Sequence, residues 1–252
     1  MCKVKQSTVS LRADSFSDMD HGRVGRGAAA QTKVCHLGVM EYGEAYRIQK
    51  TVHDMRVGGK IADALLLLQH TPTFTIGKSG SASNILVPQS SLKAHGISLF
   101  LIERGGDVTY HGPGQIVGYP IIDLRGRDKD IHRFVHDLEE VLIRTVRDFS
   151  INAQRDETHP GVWVGKEELA AIGLSVRKWV SMHGFALNVD MRMDHFSLIN
   201  PCGFSDRRAT SMNLLLSQPP SIEEVTERLL VHFSEIFNTV VVDGEADIQE
   251  LL

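Results

Sequence analysis

The sequence predicts an α/β fold (α+β in layout): a single domain with a mixed, largely antiparallel sheet flanked by helices. Three observations predict it. The chain has 252 residues, within reach of one hydrophobic core, and no internal repeat or linker divides it. Short apolar runs alternate with glycine and proline turns, as strands do. Two long stretches instead carry an apolar stripe at helical spacing, the pattern of a helix lying on a sheet.

Residues 1–33 mix Ser, Gly, Asp and Arg with little apolar periodicity, so they read as a mobile leader, and 34–252 as the folded domain. A mitochondrial transit peptide is the alternative, with Arg12, Arg23 and Arg26 among serines, but Asp14, Asp18 and Asp20 oppose it. Ala45, Ile48, Val52 and Met55 predict a helix over 42–57, stopped by Gly58-Gly59. Residues 64–68 and 73–76 read as buried strands around His70-Thr71-Pro72, with a loop from Gly77. A short helix over 88–95 and a strand over 98–102 follow. Residues 108–111 and 115–124 read as strands on either side of Gly112-Pro113-Gly114. The clearest helix spans 130–149, where Ile131, Phe134, Val135, Leu138, Val141, Leu142, Val146 and Phe149 form one stripe. Residues 161–164 and 169–176 flank Gly165-Lys166 as a hairpin, and 182–189 continues the sheet. Ser221 and Glu224 form a capping box that opens a last helix through Val225, Leu229, Phe233 and Phe237.

Composition narrows the function. With 27 Lys+Arg against 31 Asp+Glu the net charge is -4, so nothing in the bulk electrostatics calls for nucleic acid. The longest apolar stretch, near 61–68, is interrupted by Asp63 and falls far short of the roughly 18 to 20 residues of a membrane-crossing helix. Cys2, Cys35 and Cys202 lie far apart without a CxxC spacing, which argues against a disulfide scaffold or structural zinc and fits a reducing compartment.

Chemistry concentrates in a few segments. Arg104 to Gln115 packs four glycines with an arginine, a tyrosine and a histidine, a composition that by itself favours a pair of tight turns at Gly105-Gly106 and Gly112-Pro113-Gly114 and is also suited to gripping a ligand with backbone N–H groups. It lacks the spacing of a dinucleotide fingerprint or a P-loop. Asn200-Pro201-Cys202-Gly203 puts a thiol on a turn, where unpaired N–H groups could stabilise a thiolate, or where the cysteine is simply inert. His183, followed by Gly184, is a possible neighbour. His132 and His136 have the i,i+4 spacing of metal ligands but fall on the polar side of their helix with no HExxH pattern, so no metal is expected there.

Together these segments resemble the lipoyl(octanoyl) transferase family, over about 34–214. The resemblance rests on Arg104-Gly-Gly-Asp-Val-Thr-Tyr-His-Gly-Pro-Gly-Gln115, Pro160-Gly-Val-Trp-Val164, Ala170-Ala-Ile-Gly173, Met182-His-Gly-Phe-Ala-Leu-Asn188 and Ile199-Asn-Pro-Cys-Gly203. It implies a fold similar to the biotin and lipoate protein ligases and octanoyl transfer from octanoyl-acyl carrier protein to a lysine of lipoyl domains. These are the lipoyl domains of 2-oxoacid dehydrogenase E2 subunits and the glycine cleavage H protein. It further implies no cofactor, ATP or metal, a cytoplasmic setting (mitochondrial if the leader is a transit peptide), and Cys202 as the acyl-carrying nucleophile. By the same resemblance the acyl group is bound by Arg104, Gly105, Gly106, Asp107, Val108, Thr109, Tyr110 and His111, by Ala171, Ile172 and Gly173, and by His183, Gly184, Phe185 and Ala186, with Tyr110 and His111 as wall and donor groups.

One position departs from the family. Where the family has a lysine five residues before the glycine of the Ala-Ala-Ile-Gly strand, this chain has Glu168. An ammonium beside a thiol favours the thiolate and a carboxylate opposes it. Lys166, with the same strand parity, is the preferred partner of Cys202; Glu168 acting as general base is the other choice. An ATP-dependent lipoate protein ligase, and a non-catalytic module that binds lipoyl domains or acyl carriers, stay open as alternatives. Arg125, Arg127, Lys178, Arg207 and Arg208 are candidates for a basic rim facing acidic partners.

Overall fold

Leu65, Leu66, Leu67 and Leu68 are all buried, which identifies a strand covered on both faces. In the computed structural model, which describes residues 30–200 and 208–244, that strand is β2 (Asp63–His70). Leu65 and Leu67 face a core built with helices α3 (Ile131–Arg147) and α5 (Ile222–Phe237). Leu66 and Leu68 face the opposite way, onto Ala45, Ile48 and Val52 of α1 (Tyr42–Val57). Each leucine removed from water stabilises the fold by about 1.5–3 kcal/mol.

Around β2 the main sheet assembles as β10-β8-β9-β6-β2-β1-β11, with β7 paired to β8. The strands are β1 (Gln31–Met40), β6 (Gln115–Ile121), β7 (Gly161–Val164), β8 (Glu167–Arg177), β9 (Val180–Asn188), β10 (Arg208–Ala209) and β11 (Val240–Asp243). The β2–β6, β6–β9, β8–β9 and β7–β8 pairs are antiparallel, while β1–β2, β1–β11 and β10–β8 are parallel, so the sheet is mixed as expected. A second sheet, β4-β3-β5, is made of β4 (Ser98–Leu101), β3 (Thr73–Ile76) and β5 (Val108–His111). Its own core includes Phe74, Ile76, Tyr110 and Ile199.

Three strands escape the sequence reading. β1 is interrupted by a register shift between His36 and Val39, where Gly38 adopts a φ of 66°, and the irregularity hides its alternation. β10 and β11 are too short to show a period. Because β1 starts at Gln31, three residues assigned to the leader, Gln31, Thr32 and Lys33, belong to the strand; residues 1–29 lie outside the described part. The helix expected over 88–95 is the single turn α2 (Gln89–Leu92), after which Gly96 at φ 68° turns the chain into β4. A last short helix, α4 (Met212–Leu215), precedes α5, whose capping box is formed as predicted: Ser221 Oγ accepts from Glu224 N at 3.1 Å and Glu224 Oε2 from Ser221 N at 2.8 Å.

Candidate active site

Where the small sheet meets the main one lies a cavity of about 340 Å³. It is lined by Arg104, Gly105, Gly106, Asp107, Val108, Thr109, His111, Glu168, Ala171, Ile172, Gly173, His183, Gly184, Phe185 and Ala186, residues the sequence already singled out. Tyr42, Val117, Tyr119, Ile131, Val135, His159, Pro160 and Leu174 complete the wall. Tyr42, Val117, Tyr119, His111, His183 and Ala186 are buried and form its floor. Gly105, Gly106, Ile131 and Pro160 are exposed and form its rim.

The loop joining β4 to β5 is pinned by its arginine. The Arg104 guanidinium donates from Nη2 to the Thr75 carbonyl (3.0 Å) and hydroxyl (2.9 Å), and from Nη1 to the Gly105 carbonyl (2.9 Å). Gly105 N in turn donates to the Leu174 carbonyl at 2.9 Å, which ties the loop to β8. Glycine is required opposite: a Cβ on Gly173 would stand 2.9 Å from Arg104 Cδ, and one on Gly77 2.3 Å from the Gly106 carbonyl oxygen. Asp107 closes the loop by accepting from Ser81 N, Val108 N and the Asn84 side-chain amide.

The floor is polar and uncharged. His70 Nδ1 lies 3.3 Å from the Met40 carbonyl, which can only accept, so Nδ1 carries the proton and Nε2 accepts from the Tyr119 hydroxyl at 2.7 Å. His111 Nδ1 donates to Gln115 Oε1 at 2.8 Å, because the Gln115 amide nitrogen is engaged with Asn188 Oδ1 (2.8 Å) and the Tyr110 carbonyl (3.2 Å). Burial pushes His70 down to about 4 and His111 to about 3, the latter lowered further by repulsion from the neighbouring His70. His183 falls to about 4, through burial first and the nearby Arg104 guanidinium second. Burial raises the Tyr42 and Tyr119 hydroxyls well above the ordinary phenol range. His183 has a φ of 57° inside β9, a conformation costly for a non-glycine residue, and is held there as its N–H donates to Gln49 Oε1 at 3.0 Å and its ring stacks on Tyr46, centroids 5.9 Å apart. Tyr46 in turn donates its hydroxyl to Glu103, whose carboxyl is held below its ordinary range chiefly by that bond.

Four placements differ from the sequence reading, those of Tyr110, Lys166, Arg125 and Arg127. Tyr110 does not wall the cavity. Strand alternation sends it into the small-sheet core against Phe74 and Phe196, with its hydroxyl 2.8 Å from His195 Nδ1. Lys166 occupies the turn after Gly165 (φ 61°), exposed and outside the cavity wall; β8 starts only at Glu167, so the parity argument does not extend to it. Glu168 does line the cavity, and its Oε1 packs close to Gly161, 3.2 Å from where a Cβ would stand. Arg127 is committed elsewhere, donating to the Phe237 carbonyl at 2.8 Å with its guanidinium 4.9 Å from that ring, and Arg125 is paired with Asp123. His132 and His136 are exposed, as expected of a solvated face.

Cys202 and Arg207 fall in 201–207, outside the described residues. The described ends of that segment are anchored on both sides: Asn200 N donates to the Asn84 carbonyl at 2.7 Å, and Arg208 and Ala209 pair with Glu167 and Glu168. The wall residues missed from sequence have a common cause. Ile131 and Val135 read as part of a packing stripe, and Tyr42 and Tyr119 simply fall within the helix over 42–57 and the strand over 115–124; only the meeting of four elements turns them toward a shared space.

Comparison with known proteins agrees with this geometry. The model of the lipoyl protein ligase A/B catalytic domain matches residues 41–234. The octanoyltransferase of Caldicellulosiruptor bescii is 50% identical over 206 residues, covering 81% of this chain and 90% of the relative. In fold the chain is similar to a lipoate-protein ligase A solved with ATP, with a TM-score of 0.69 at 17% identity over 84% of this chain and 88% of that one. A biotin protein ligase from Aquifex aeolicus superposes with a TM-score of 0.51 at 11% identity, over 82% and 70% of the two chains. The chain therefore belongs to the lipoyl protein ligase A/B catalytic-domain family and, within it, to the octanoyltransferases, the acyltransferases of protein lipoylation.

Proposed function

We propose that this chain takes its octanoyl group from octanoyl-acyl carrier protein onto Cys202 and passes it to a lysine of a lipoyl domain, in E2 subunits of 2-oxoacid dehydrogenases and in the glycine cleavage H protein. The thiolate attacks the carrier thioester, the carrier thiol leaves, and an acyl-enzyme thioester forms. The lysine amine then attacks that thioester; an amide forms and the thiolate is regenerated. Neither ATP nor a metal enters the balance, and the reaction belongs in the cytoplasm.

The observation that carries this reading is the cavity, whose throat of Ile131, Val135, Pro160, Ile172, Leu174 and Phe185 is apolar while its floor is polar but neutral. An alkyl chain gains about 0.8 kcal/mol per CH₂ buried against such a throat. The second support is chain connectivity. Of the described residues that flank 201–207, Asn200 bonds to Asn84, the partner of Asp107, and Ala209 pairs with Glu168, and both Asp107 and Glu168 line the cavity. Between Glu168 and Lys166 as the ionisable neighbour of Cys202, the cavity position favours Glu168.

The test is mass spectrometry after incubation with octanoyl carrier protein. The wild type gains one octanoyl group, removed by neutral hydroxylamine, and Cys202→Ser gains none. An unchanged wild-type mass, or an adduct on Cys202→Ser, overturns the proposal; adenylate formation from ATP and lipoate would indicate a ligase instead.

A further inference from the structure

Beside the cavity rim, two loops press against each other in a conformation their residues do not favour. Asp128 and Lys129, just before α3, have φ values of 55° and 54°; Lys178 and Trp179, the two residues of the β8–β9 turn, have 52° and 64°. Two-residue hairpin turns with positive φ at both positions ordinarily use Asn and Gly, because a side chain there crowds the backbone. The loops are tied through Leu124, whose N–H donates to the Trp179 carbonyl (2.7 Å) and whose carbonyl accepts from Lys129 N (3.0 Å). The Lys129 ammonium lies 5.6 Å from the centroid of the Trp179 ring.

The result is a surface with a definite character. Trp179 is 39% exposed and Ile131, which also lines the cavity, is 38% exposed. Around them stand the exposed cations Lys129, Arg133, Arg177 and Lys178. Asp128, Asp130 and Asp137 stand among them, the first 4.0 Å from the Arg133 guanidinium, the second capping α3 by accepting from Arg133 N, and the third one turn on from Arg133. Cations therefore outnumber carboxylates here, although the chain as a whole carries a net charge of -4. An aromatic anchor within a basic border is the composition of a protein-docking surface for an acidic partner.

We infer that this patch seats the acceptor, an acidic lipoyl domain, while its lysine enters the cavity past Ile131; the inference rests on the lysine-acceptor reading above. Position decides between the two partners of the reaction. A carrier protein presents its thioester on a long flexible arm and need not sit at the rim. An acceptor lysine has only four methylenes, so its domain must press directly on the rim, and Ile131 is shared by rim and patch.

The experiment separates loading from transfer. Lys129→Glu/Lys178→Glu and Trp179→Gly are prepared in the full chain, loaded with octanoyl carrier protein, and then mixed with a lipoyl domain in single-turnover mode. Loading is expected to stay within about twofold of wild type, while the lipoyl-domain concentration for half-maximal transfer rises about tenfold or more for the charge reversal at low salt. That difference should shrink as ionic strength rises. Trp179→Gly is expected to weaken the domain in the same assay while its Tm holds or increases, since glycine relieves the positive φ; a structural role alone would lower the Tm. An unchanged half-maximal concentration in the charge reversal overturns the inference, and loading that falls in parallel with transfer reassigns the patch to the carrier. Calorimetric titration of the lipoyl domain into unloaded enzyme reads the surface even without turnover. Loss of binding in the variants supports the patch though the transferase reading fails, and equal binding rejects it though that reading holds.

Discussion

His111 and His183 sit neutral in the cavity floor with His70 buried behind them against Tyr119, and their depressed pKa values make the fold sensitive to mild acid. Each binds a proton more readily in the unfolded chain, near 6.5, than in the folded one, at about 4, 3 and 4. The unfolded state thus holds more protons between those values. Stability is full above about pH 6.5 and falls as the pH drops through that window, by up to about 1.4 kcal/mol per pH unit for each histidine. Urea unfolding at pH 7.5, 6 and 5 should show this decline, with a shallower slope in His70→Gln; a flat profile would mean the floor is hydrated or rearranges. Gly184 is a second sensitive point, since a Cβ there would lie 2.1 Å from the Gly118 carbonyl oxygen, so Gly184→Ala is expected to lose loading by tenfold or more along with stability. Glu168→Lys tests the electrostatics of the departure from the family. If the carboxylate opposes ionisation of Cys202, the pH midpoint of loading moves down in this variant; if Glu168 acts as a base, loading collapses. At this scale the glycines of the site with His111 and His183 were legible in the sequence because their types are unusual together, whereas His70 and His159 carried no motif that singled them out. The direction of Tyr110 was not, since strand parity relative to a cavity depends on which face the neighbouring sheet covers.

Helices were the most legible elements, because their apolar stripes are long. The spacing predicts α1 over the residues it occupies, and α3 within three residues at each end. Yet the stripe of α3 serves two purposes: Phe134, Leu138, Val141 and Leu142 are buried in the core, whereas Ile131 at its first turn is left at the cavity rim. Periodicity gives the face and not what the face meets. Leu142→Ala is therefore expected to destabilise the fold by about 2–5 kcal/mol with loading kinetics retained in the folded fraction. Ile131→Ala should cost little stability and weaken acyl binding. Ser221→Ala, which removes half of the α5 capping box, is expected to cost about 1 kcal/mol without touching the reaction. Thermal denaturation alongside the loading assay distinguishes these outcomes.

On the scale of the molecule, the two sheets and three long helices among the described residues leave a junction where glycine-rich loop, strand pair and helix start converge, and the wall of the cavity is drawn from both sheets. The sheet that supports it is closed at one margin by a pairing between remote parts of the chain. β11 lies parallel to β1, Gln31 against Val240 through Val34 against Asp243, and the Thr32 and Thr239 hydroxyls meet at 3.0 Å. A ribosome delivers Gln31 more than two hundred residues before Val240, so β1 waits for β11 before its outer hydrogen bonds are filled. During synthesis that margin is a bare template for any passing strand, and translation pauses ahead of Thr239 would be the moments at which a nascent chain is most prone to join its neighbours.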